Sequence, residues 1–440
     1  MIINYLLEKI QNFVAPLVKH SLVLRLLDKF IFLSICLTLF TSTFAPSDTI
    51  GYFALIGIFL TFIKLLTKKG QRLEPNRFEL CLIIYLGFVI ISVAGSSLFY
   101  LSLKGFLKTL IYLGYYVCCV VYLRDYKKDI LKFFGLIALC IGYESVIGLL
   151  QNSTHVSALA GWQDTANLNP EQIMTRVFGT LKPLNPNLFG GYLLSVLPVA
   201  YGLSALLLYK KHNASALAGL SLSLLATLVM VMSGCRGVYI AFPLMVLIPA
   251  IVLIKRVSPN IKSLLYKIYA SVFVLASGLV LASTSLRARI LSIFTLRNDS
   301  STSFRLNVYQ SSIKMFQDNP FLGIGVGNQN FRETYGLYMK TGYDALSAYN
   351  IYLETAVESG IFALLSFVGF LVFLFIEAFK TMFCSKNIEK VIITTIAITS
   401  ITGILAHGMV DTVFFRPQLQ FIFWLMVAVI KVRNHVKSEK

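Results

Sequence analysis

Two arginines of this 440-residue chain lie in surroundings that favour chemistry. Arg236 lies in Ser-Gly-Cys-Arg-Gly, residues 233–237, between two apolar stretches, where a permanent charge costs at least ~2.5 kcal/mol unless paired or hydrated. Arg305 opens a stretch with apolar residues at helical spacing through Phe316. Arg236 therefore needs an anion or water nearby. The alternatives are snorkelling at a helix end for Arg236 and a solvated surface position for Arg305.

Candidate acids and bases lie further along the chain. Glu354 and Glu358 are one helical turn apart, which suits general-base chemistry and equally suits pairing with loop arginines. His407 and Asp411 are four residues apart at the end of an apolar stretch, and Arg416 follows them. Ionisable residues in such a place predict either a functional site or a structural network.

A polar segment near residues 176–187 supplies further candidates. It contains Arg176, Asn185 and Asn187, and the last of these is predicted to cap the following helix. This segment is either a helix-entering turn or a contact for a sugar or diphosphate. Gly323-Ile-Gly-Val-Gly327 has no preceding strand or following P-loop lysine, so it is a poor nucleotide site. Its glycines are better interpreted as permitting close backbone approach to a ligand headgroup or to the membrane spans.

The elements that position these residues are membrane helices. Hydrophobic residues form 57% of the chain and charged residues 13%, a balance with which a soluble protein could not cover its surface. Apolar runs long enough to cross ~30 Å of hydrocarbon recur, and about twelve are predicted. Their extents are 30–46, 50–66, 78–95, 105–122, 132–150, 188–208, 214–234, 237–254, 268–285, 361–379, 391–410 and 414–432. We therefore expect an all-α integral membrane protein, a single polytopic domain over residues 30–440.

The distribution of cations predicts the orientation. Most lysines and arginines fall in alternate connections and at the two ends, which places both termini in the cytoplasm. Residues 1–29 carry basic residues among apolar ones and are expected to form a cytoplasmic interfacial amphipathic segment. The net charge of +19 then reflects topology and affinity for membrane lipids, and no basic module for nucleic acid is recognisable.

Two long connections are predicted to face outward, residues 151–187 and residues 286–360. The second is polar, contains short helices between the ninth and tenth spans, and includes Arg287, Arg289, Arg297, Arg305 and Arg332. The seven cysteines show no disulfide framework and are interpreted as packing residues. Glu144, inside the fifth span, is a further ionisable candidate without a partner nearby in sequence.

In combination these motifs resemble the O-antigen ligase/polymerase family of bacterial glycan-assembly membrane proteins. The resemblance is carried by Asn-Pro-Asn at 185–187, Ser-x-x-Arg-Gly at 233–237, the Arg305 helix running into Asn319-Pro320, and Asn-x-Tyr-Leu-Glu at 350–354. It implies a glycosyltransferase of the bacterial inner membrane that takes a glycan from an undecaprenyl-diphosphate carrier at the outer face. The acceptor would be a lipid or another glycan, and neither a metal nor another cofactor is implied.

The resemblance also implies roles for individual residues. Arg236 and Arg305 fall on the diphosphate-binding arginines, and Arg176, Asn185, Asn187 and Asn350 are candidates for binding the donor. Family ligases carry a histidine directly before the asparagine of Asn-x-Tyr-Leu, where this chain has Tyr349. A phenol with a pKa near ~10 is a poor base, so Glu354 and His407 are candidates beside Tyr349 for the catalytic base.

Tyr349 and its surroundings resemble most a branch of the same family named as inorganic carbon (bicarbonate) transporters. The alternative to a transferase is therefore an anion transporter or a transport accessory protein. Transport would depend on ionisable groups within the spans, such as Glu144, Arg236, His407 and Asp411. The sequence shows no inverted repeat of the kind many transporters have, and a long polar loop with arginines better fits a lipid-linked donor.

Overall fold

The computed structural model describes residues 2–17, 21–154, 176–256, 278, 284–291 and 300–434. Within these ranges the chain forms helices and no strand. The helices are α1 (Ile2–Leu17), α2 (Leu22–Thr41), α3 (Ser47–Thr67), α4 (Arg77–Gly95), α5 (Phe99–Asp125), α6 (Ile130–Ser153), α7 (Pro186–Tyr209), α8 (Asn213–Met232), α9 (Arg236–Arg256), α10 (Thr284–Leu291), α11 (Ser300–Asp318), α12 (Asn328–Tyr335), α13 (Ile351–Cys384), α14 (Ile388–His407) and α15 (Pro417–Asn434).

Eight of the described helices are long and apolar enough to cross a membrane, namely α3 to α8, α13 and α14. Helices α2, α9 and α15 coincide with three more of the predicted spans, whereas the predicted span 268–285 lies almost wholly outside the described residues. The all-α integral membrane fold predicted from composition is confirmed. The protein crosses the membrane several times.

Helices α7, α14 and α15 form the centre of the molecule. Helix α7 packs against α8 and α14, and α14 packs in turn against α9 and α15. Nearly every side chain of α15 from Leu419 to Ile430 is buried, although its composition is less apolar than that of the outer helices. The outer helices instead present large apolar side chains such as Phe59 and Ile83 to the surroundings, as lipid-facing surfaces do.

Helix α13 is interrupted at Gly360, where φ is 79° and ψ is 177°. The break is filled by the loop after Pro320: Ile361 N donates to Pro320 O at 2.8 Å, and a side chain at position 360 would lie 2.0 Å from Phe321 O. The following glycine loop, residues 323–327, packs on α4 and α5. Ser96 Oγ donates to Ile324 O, and Gly105 faces the backbone of Gly327. The close approach predicted for these glycines is thus to membrane helices.

The segment predicted to be interfacial contains α1 and the first turns of α2. Helix α1 is tied to the α3–α4 connection, where Asn4 exchanges side-chain hydrogen bonds with the backbone of Leu73 at 2.9 Å. Its opposite side exposes Tyr5, Leu6, Ile10 and Phe13. An exposed apolar face beside basic residues is consistent with the interfacial position predicted for this segment.

Candidate functional site

The turn before α7 sets the position of two asparagines. Asn185, with φ −151° and ψ 121°, is the N-cap, and its side-chain oxygen accepts from Asn187 N at 2.7 Å and Leu188 N at 3.4 Å. Pro186 occupies the first helical position, which needs no N–H donor. The prediction that Asn187 caps α7 is therefore wrong. With the cap supplied by Asn185, the Asn187 side chain is available for contacts outside the helix.

Asn187 joins two charged residues from distant parts of the chain. Its Oδ1 accepts from Arg176 Nη2 at 2.5 Å, and its Nδ2 donates to Asp411 Oδ2 at 3.1 Å. Arg305 Nη2 donates to the same Asp411 oxygen at 3.2 Å. Hydrogen bonds therefore connect Arg176 to Asn187, Asn187 to Asp411 and Asp411 to Arg305 in one continuous network. We call these four residues the arginine network.

Arg236 begins α9 next to this network and is buried. The turn before it packs on Arg176, whose Nε donates to Ser233 O at 2.9 Å, and Gly234 has φ of 62°. A side chain at position 234 would lie 3.0 Å from Arg176 Cγ, so glycine permits this approach. Burial, together with the nearby charge of Arg236, lowers the pKa of Arg176, but a guanidinium stays protonated at neutral pH.

The charge of this region is positive. Asp411 is the carboxylate that the described side chains of the network share, and both of its oxygens accept hydrogen bonds, Oδ1 from Thr412 N at 2.8 Å. Arg176 and Arg305 belong to the network, and Arg236 lies beside it. Arginines outnumber the shared carboxylate, which favours binding of an anion with more than one charge.

Tyr349 lies over Arg305. The Arg305 Cζ atom is 5.9 Å from the centre of the phenol ring, and Phe304 meets the same ring edge-on at 5.6 Å between centroids. The backbone of Tyr349 is left-handed, with φ of 53°, and its carbonyl accepts from Tyr309 Oη at 3.2 Å. Burial raises the pKa of Tyr349, and the charge of Asp411 raises it further. A neutral phenol can donate a hydrogen bond here but does not act as a base at neutral pH.

Asn350 fixes the start of α13. Its Oδ1 caps the helix by accepting from Tyr352 N and Leu353 N, and its Nδ2 donates to Met409 O at 3.0 Å. Ile351 N donates to Gly408 O at 2.9 Å, so the start of α13 is fastened to the end of α14. Asn350 thereby holds Tyr349 beside Asp411. The contacts that Asn350 makes in the structure fix the backbone at the start of α13.

Glu354 and Glu358 are both buried and accept hydrogen bonds from the backbone. Glu354 Oε2 accepts from Ala348 N at 3.2 Å, and Glu358 Oε1 accepts from Gly327 N at 2.8 Å. They hold the chain before α13 and the glycine loop in place. No ion pair between either residue and an arginine is found in the described ranges, so the interpretation as partners of the loop arginines finds no support.

His407 lies behind the arginine network and is fully buried. Its Nε2 is 3.4 Å from Cys235 Sγ, a contact that the interpretation of the cysteines as packing residues missed. Gly191 and Gly237 make room for the imidazole, because side chains there would lie 2.7 Å from its atoms. The sequence feature that could indicate this contact is the turn of small residues at 233–237, which leaves space for a neighbouring side chain. His407 forms no direct hydrogen bond with Asp411 in this conformation.

Cys235, His407 and Asp411 are also the group most similar to a metal site in the described ranges, with ligand atoms within 4.8 Å of one another. Asp411 already accepts hydrogen bonds on both oxygens, from Thr412 N and from Arg305 and Asn187. Neighbouring guanidinium groups repel a divalent cation. The group therefore fits a metal poorly.

Other candidates lie outside the network. The Glu144 carboxylate is buried and accepts from Thr180 N at 3.1 Å and Thr180 Oγ1 at 2.6 Å, so it anchors the segment that carries Arg176. Arg332 is exposed and pairs with Asp344. Arg287 is exposed on α10, and Arg297 lies outside the described residues.

Arg416 directly precedes α15, and its charge acts on Tyr349. The structure thus brings Arg176, Asn187, Arg305, Asp411 and Tyr349 together, with Arg236 and Arg416 at the edges of the group. Asn185, Asn350, Glu354 and His407 lie behind it as supporting residues.

Comparison with known proteins gives one family. The family model described as O-Antigen ligase (Wzy_C) matches residues 221–368, which include Arg236, Arg305, Tyr349 and Glu354. No curated protein matches this chain. The match gives no support to the branch named as inorganic carbon transporters. Residues 221–368 of this multi-pass membrane protein therefore match the O-antigen ligase family, in agreement with the resemblance to the O-antigen ligase/polymerase family.

Proposed function

We propose that this protein transfers or polymerises a glycan carried on undecaprenyl diphosphate, at the outer face of the inner membrane. The observation that carries the proposal is the arginine network, in which Arg305 contacts the Asp411 carboxylate and Arg176 is linked to it through Asn187, with Arg236 beside Arg176. The O-antigen ligase family acts on membrane-associated glycans, and a lipid diphosphate is the multiply charged anion of such substrates.

In the proposed reaction the acceptor hydroxyl attacks the anomeric carbon of the donor sugar. The bond between that carbon and the diphosphate oxygen breaks while the new glycosidic bond forms. Arg236 and Arg305 bind the diphosphate and stabilise the negative charge that develops on it as it leaves. The proton of the hydroxyl passes to an oxygen of the departing diphosphate or to solvent. The protein needs no nucleotide sugar, because the lipid diphosphate is already a good leaving group.

The catalytic base is the part of the proposed site that differs most from the family pattern. Tyr349 occupies the place of the family histidine but is kept neutral by burial, and Glu354 and His407 are enclosed by other side chains. Tyr349 is therefore assigned to positioning, since its ring lies on the Arg305 guanidinium. Proton transfer to the leaving diphosphate makes a strong protein base unnecessary.

The proposal is tested by deleting the gene and restoring it with the wild-type chain or an Arg305→Lys variant. We expect the deletion to change the surface glycans and to accumulate lipid-linked glycan, and only the wild-type chain to restore both. Bicarbonate uptake, measured in the same strains and in proteoliposomes, serves as the comparison. Unchanged glycans together with a direct uptake defect would contradict a glycan-transferring function.

A further inference from the structure

Two lysines on α5 lie outside the arginine network and have no role in the proposed reaction. Lys104 and Lys108 are one helical turn apart and both are exposed. With Tyr112 they form an i, i+4, i+8 series, which places the three side chains along one side of the helix. Lys104 lies 4.6 Å from the centre of the Tyr100 ring, and neither lysine has a carboxylate within 4.0 Å in the described part of the chain.

Two ammonium groups in this position are costly without an anion. Helix α5 is one of the helices able to cross the membrane, and a cation within such a helix is costly near the bilayer centre and less costly towards its edge. Like charges one turn apart also repel each other. A single phosphate group between the two would relieve both costs, because lysine binds phosphate as a mobile point charge.

The lysines lie at the same end of the molecule as the arginine network. The start of α5 is packed against the glycine loop, where Gly105 faces the backbone of Val326 and Gly327. One turn further along than Lys108, the Tyr112 ring meets Phe421 of α15 at 5.3 Å between centroids. Lys104 and Lys108 therefore lie on the side of α5 that faces the start of α15.

Arg416 connects this surface with the arginine network. It directly precedes α15, and its charge acts on both Tyr112 and Tyr349. Tyr349 lies over Arg305. Arg416 thus lies between Tyr112, on the same side of α5 as Lys108, and the edge of the network. Exposed Leu107 and Leu110 on α5 offer apolar surface beside the lysines.

We propose that Lys104, Lys108 and Arg416 form a second anion site, which binds the phosphate of a lipid that reaches the arginine network along α5. The lipid tail would pack on the exposed leucines of α5 while its phosphate contacts the lysines. Two sources share this chemistry, the polyprenyl-diphosphate carrier and an anionic phospholipid. The site needs no glycan transfer to exist, so it stands independently of the proposed function.

Binding of both lipids to the purified full chain tests this site. Native mass spectrometry in detergent would use undecaprenyl diphosphate and phosphatidylglycerol as probes, with wild type and a Lys104→Gln/Lys108→Gln double variant. Basic residues near a membrane contribute about a factor of five each, so we expect roughly 10- to 30-fold weaker binding of at least one lipid. Loss confined to undecaprenyl diphosphate identifies the carrier as the ligand, and loss confined to phosphatidylglycerol identifies a phospholipid.

Two further variants separate a specific site from general charge. Lys127→Gln/Lys128→Gln removes two exposed lysines beyond the opposite end of α5 and is expected to bind both lipids as wild type does. Lys104→Arg/Lys108→Arg keeps the charges and is expected to retain binding. The proposal is overturned if the Lys104→Gln/Lys108→Gln variant binds both lipids within about twofold of wild type, or if the Lys127→Gln/Lys128→Gln control weakens binding equally.

Discussion

At the scale of single residues, Asp411 determines how the arginines are arranged. Its Oδ2 accepts from both Asn187 and Arg305, and Asn187 continues the chain to Arg176. Without a ligand, this carboxylate partly neutralises guanidinium groups that would otherwise repel one another. A bound diphosphate would compete with Asp411 for Arg305. On binding, the Arg305 guanidinium would then exchange its carboxylate partner for the diphosphate.

Substitution of Arg305 by lysine tests this role. Lysine keeps the positive charge but loses the planar, two-pronged donor, so we expect glycan transfer to fall by roughly 10- to 100-fold. The measurement is transfer from a polyprenyl-diphosphate donor by purified protein. Arg332→Lys is the matched control, because Arg332 is an exposed arginine of the same loop that pairs with Asp344. Wild-type transfer by Arg305→Lys would contradict a role for the Arg305 guanidinium in binding the diphosphate.

Tyr349 provides a test through pH. Burial raises its pKa, so the phenol is protonated both at neutral pH and one or two units above it. If a phenolate were the base, the rate would rise about tenfold per pH unit below its pKa. We expect no such rise between about pH 7 and 9, and transfer by Tyr349→Phe within about threefold of wild type. A steep rise with pH that disappears in Tyr349→Phe would assign the base to Tyr349.

The sequence identified most residues of the site but not their contacts. Arg176, Asn187, Arg305, Asp411 and Tyr349 were recognised because polar groups are conspicuous in apolar surroundings. The sequence predicts the cap at Asn187 instead of Asn185, because both asparagines of Asn-Pro-Asn have a suitable side chain and only the backbone conformation distinguishes them. Cys235 was missed because a cysteine looks apolar in composition, and its contact with His407 spans 172 positions.

At the scale of elements, the break in α13 connects the outer loop to the membrane helices. Gly360 leaves the helical conformation, and the backbone after Pro320 fills the gap. The same contact places the glycine loop on α4 and α5, and Glu358 secures it by accepting from Gly327 N. The position of α11, and with it Arg305, therefore depends on a glycine in a distant helix.

Gly360→Ala tests this dependence. The substitution places a side chain 2.0 Å from Phe321 O on a backbone with positive φ, so we expect the free energy of unfolding to fall by about 2 kcal/mol or more. Gly369→Ala in the same helix is the control. Its added methyl group meets Cys81 Sγ at 3.4 Å, an ordinary contact, and alanine favours helix by about 1 kcal/mol. Thermal unfolding in detergent distinguishes them, and equal stability of the two variants would contradict the role of the break.

The sequence predicts which segments are helical better than it predicts the residues at which those helices begin and end. The amphipathic stretch that Arg305 opens is observed as α11, and most apolar runs are observed as helices. The predicted start of the tenth span at residue 361 falls at the break in α13, whereas helix already begins at Ile351. Apolar periodicity marks the part of a helix in lipid. It cannot mark a polar extension that is buried against another loop.

At the scale of the whole molecule, the predicted topology places the candidate site outside the membrane and the termini inside. Composition was sufficient for the membrane class, since lipid-exposed helices must be apolar around most of their surface. It was not sufficient for the packing order. The central position of α15 depends on tertiary contacts, among them those of Gln418 and Gln420, whose Nε2 atoms donate to Lys182 O and Phe414 O.

Thiol labelling tests the topology. Cys384 is exposed at the end of α13, on the predicted cytoplasmic side, and Leu337 is 83% exposed in the predicted outer loop. In intact spheroplasts we expect a membrane-impermeant thiol reagent to label Leu337→Cys and to leave the wild-type protein unlabelled. Permeabilised cells should show labelling of Cys384 in both. Labelling of the wild-type protein in intact spheroplasts that is lost on Cys384→Ser would reverse the predicted orientation.

The most direct measurement is an experimental structure of the full-length protein with bound undecaprenyl diphosphate. We expect the diphosphate to lie within hydrogen-bond distance of the Arg305 guanidinium and next to Arg236, with the contact between Arg305 and Asp411 lengthened or replaced. A diphosphate bound away from both arginines, with the contact between Arg305 and Asp411 unchanged, would contradict the proposed role of the arginine network.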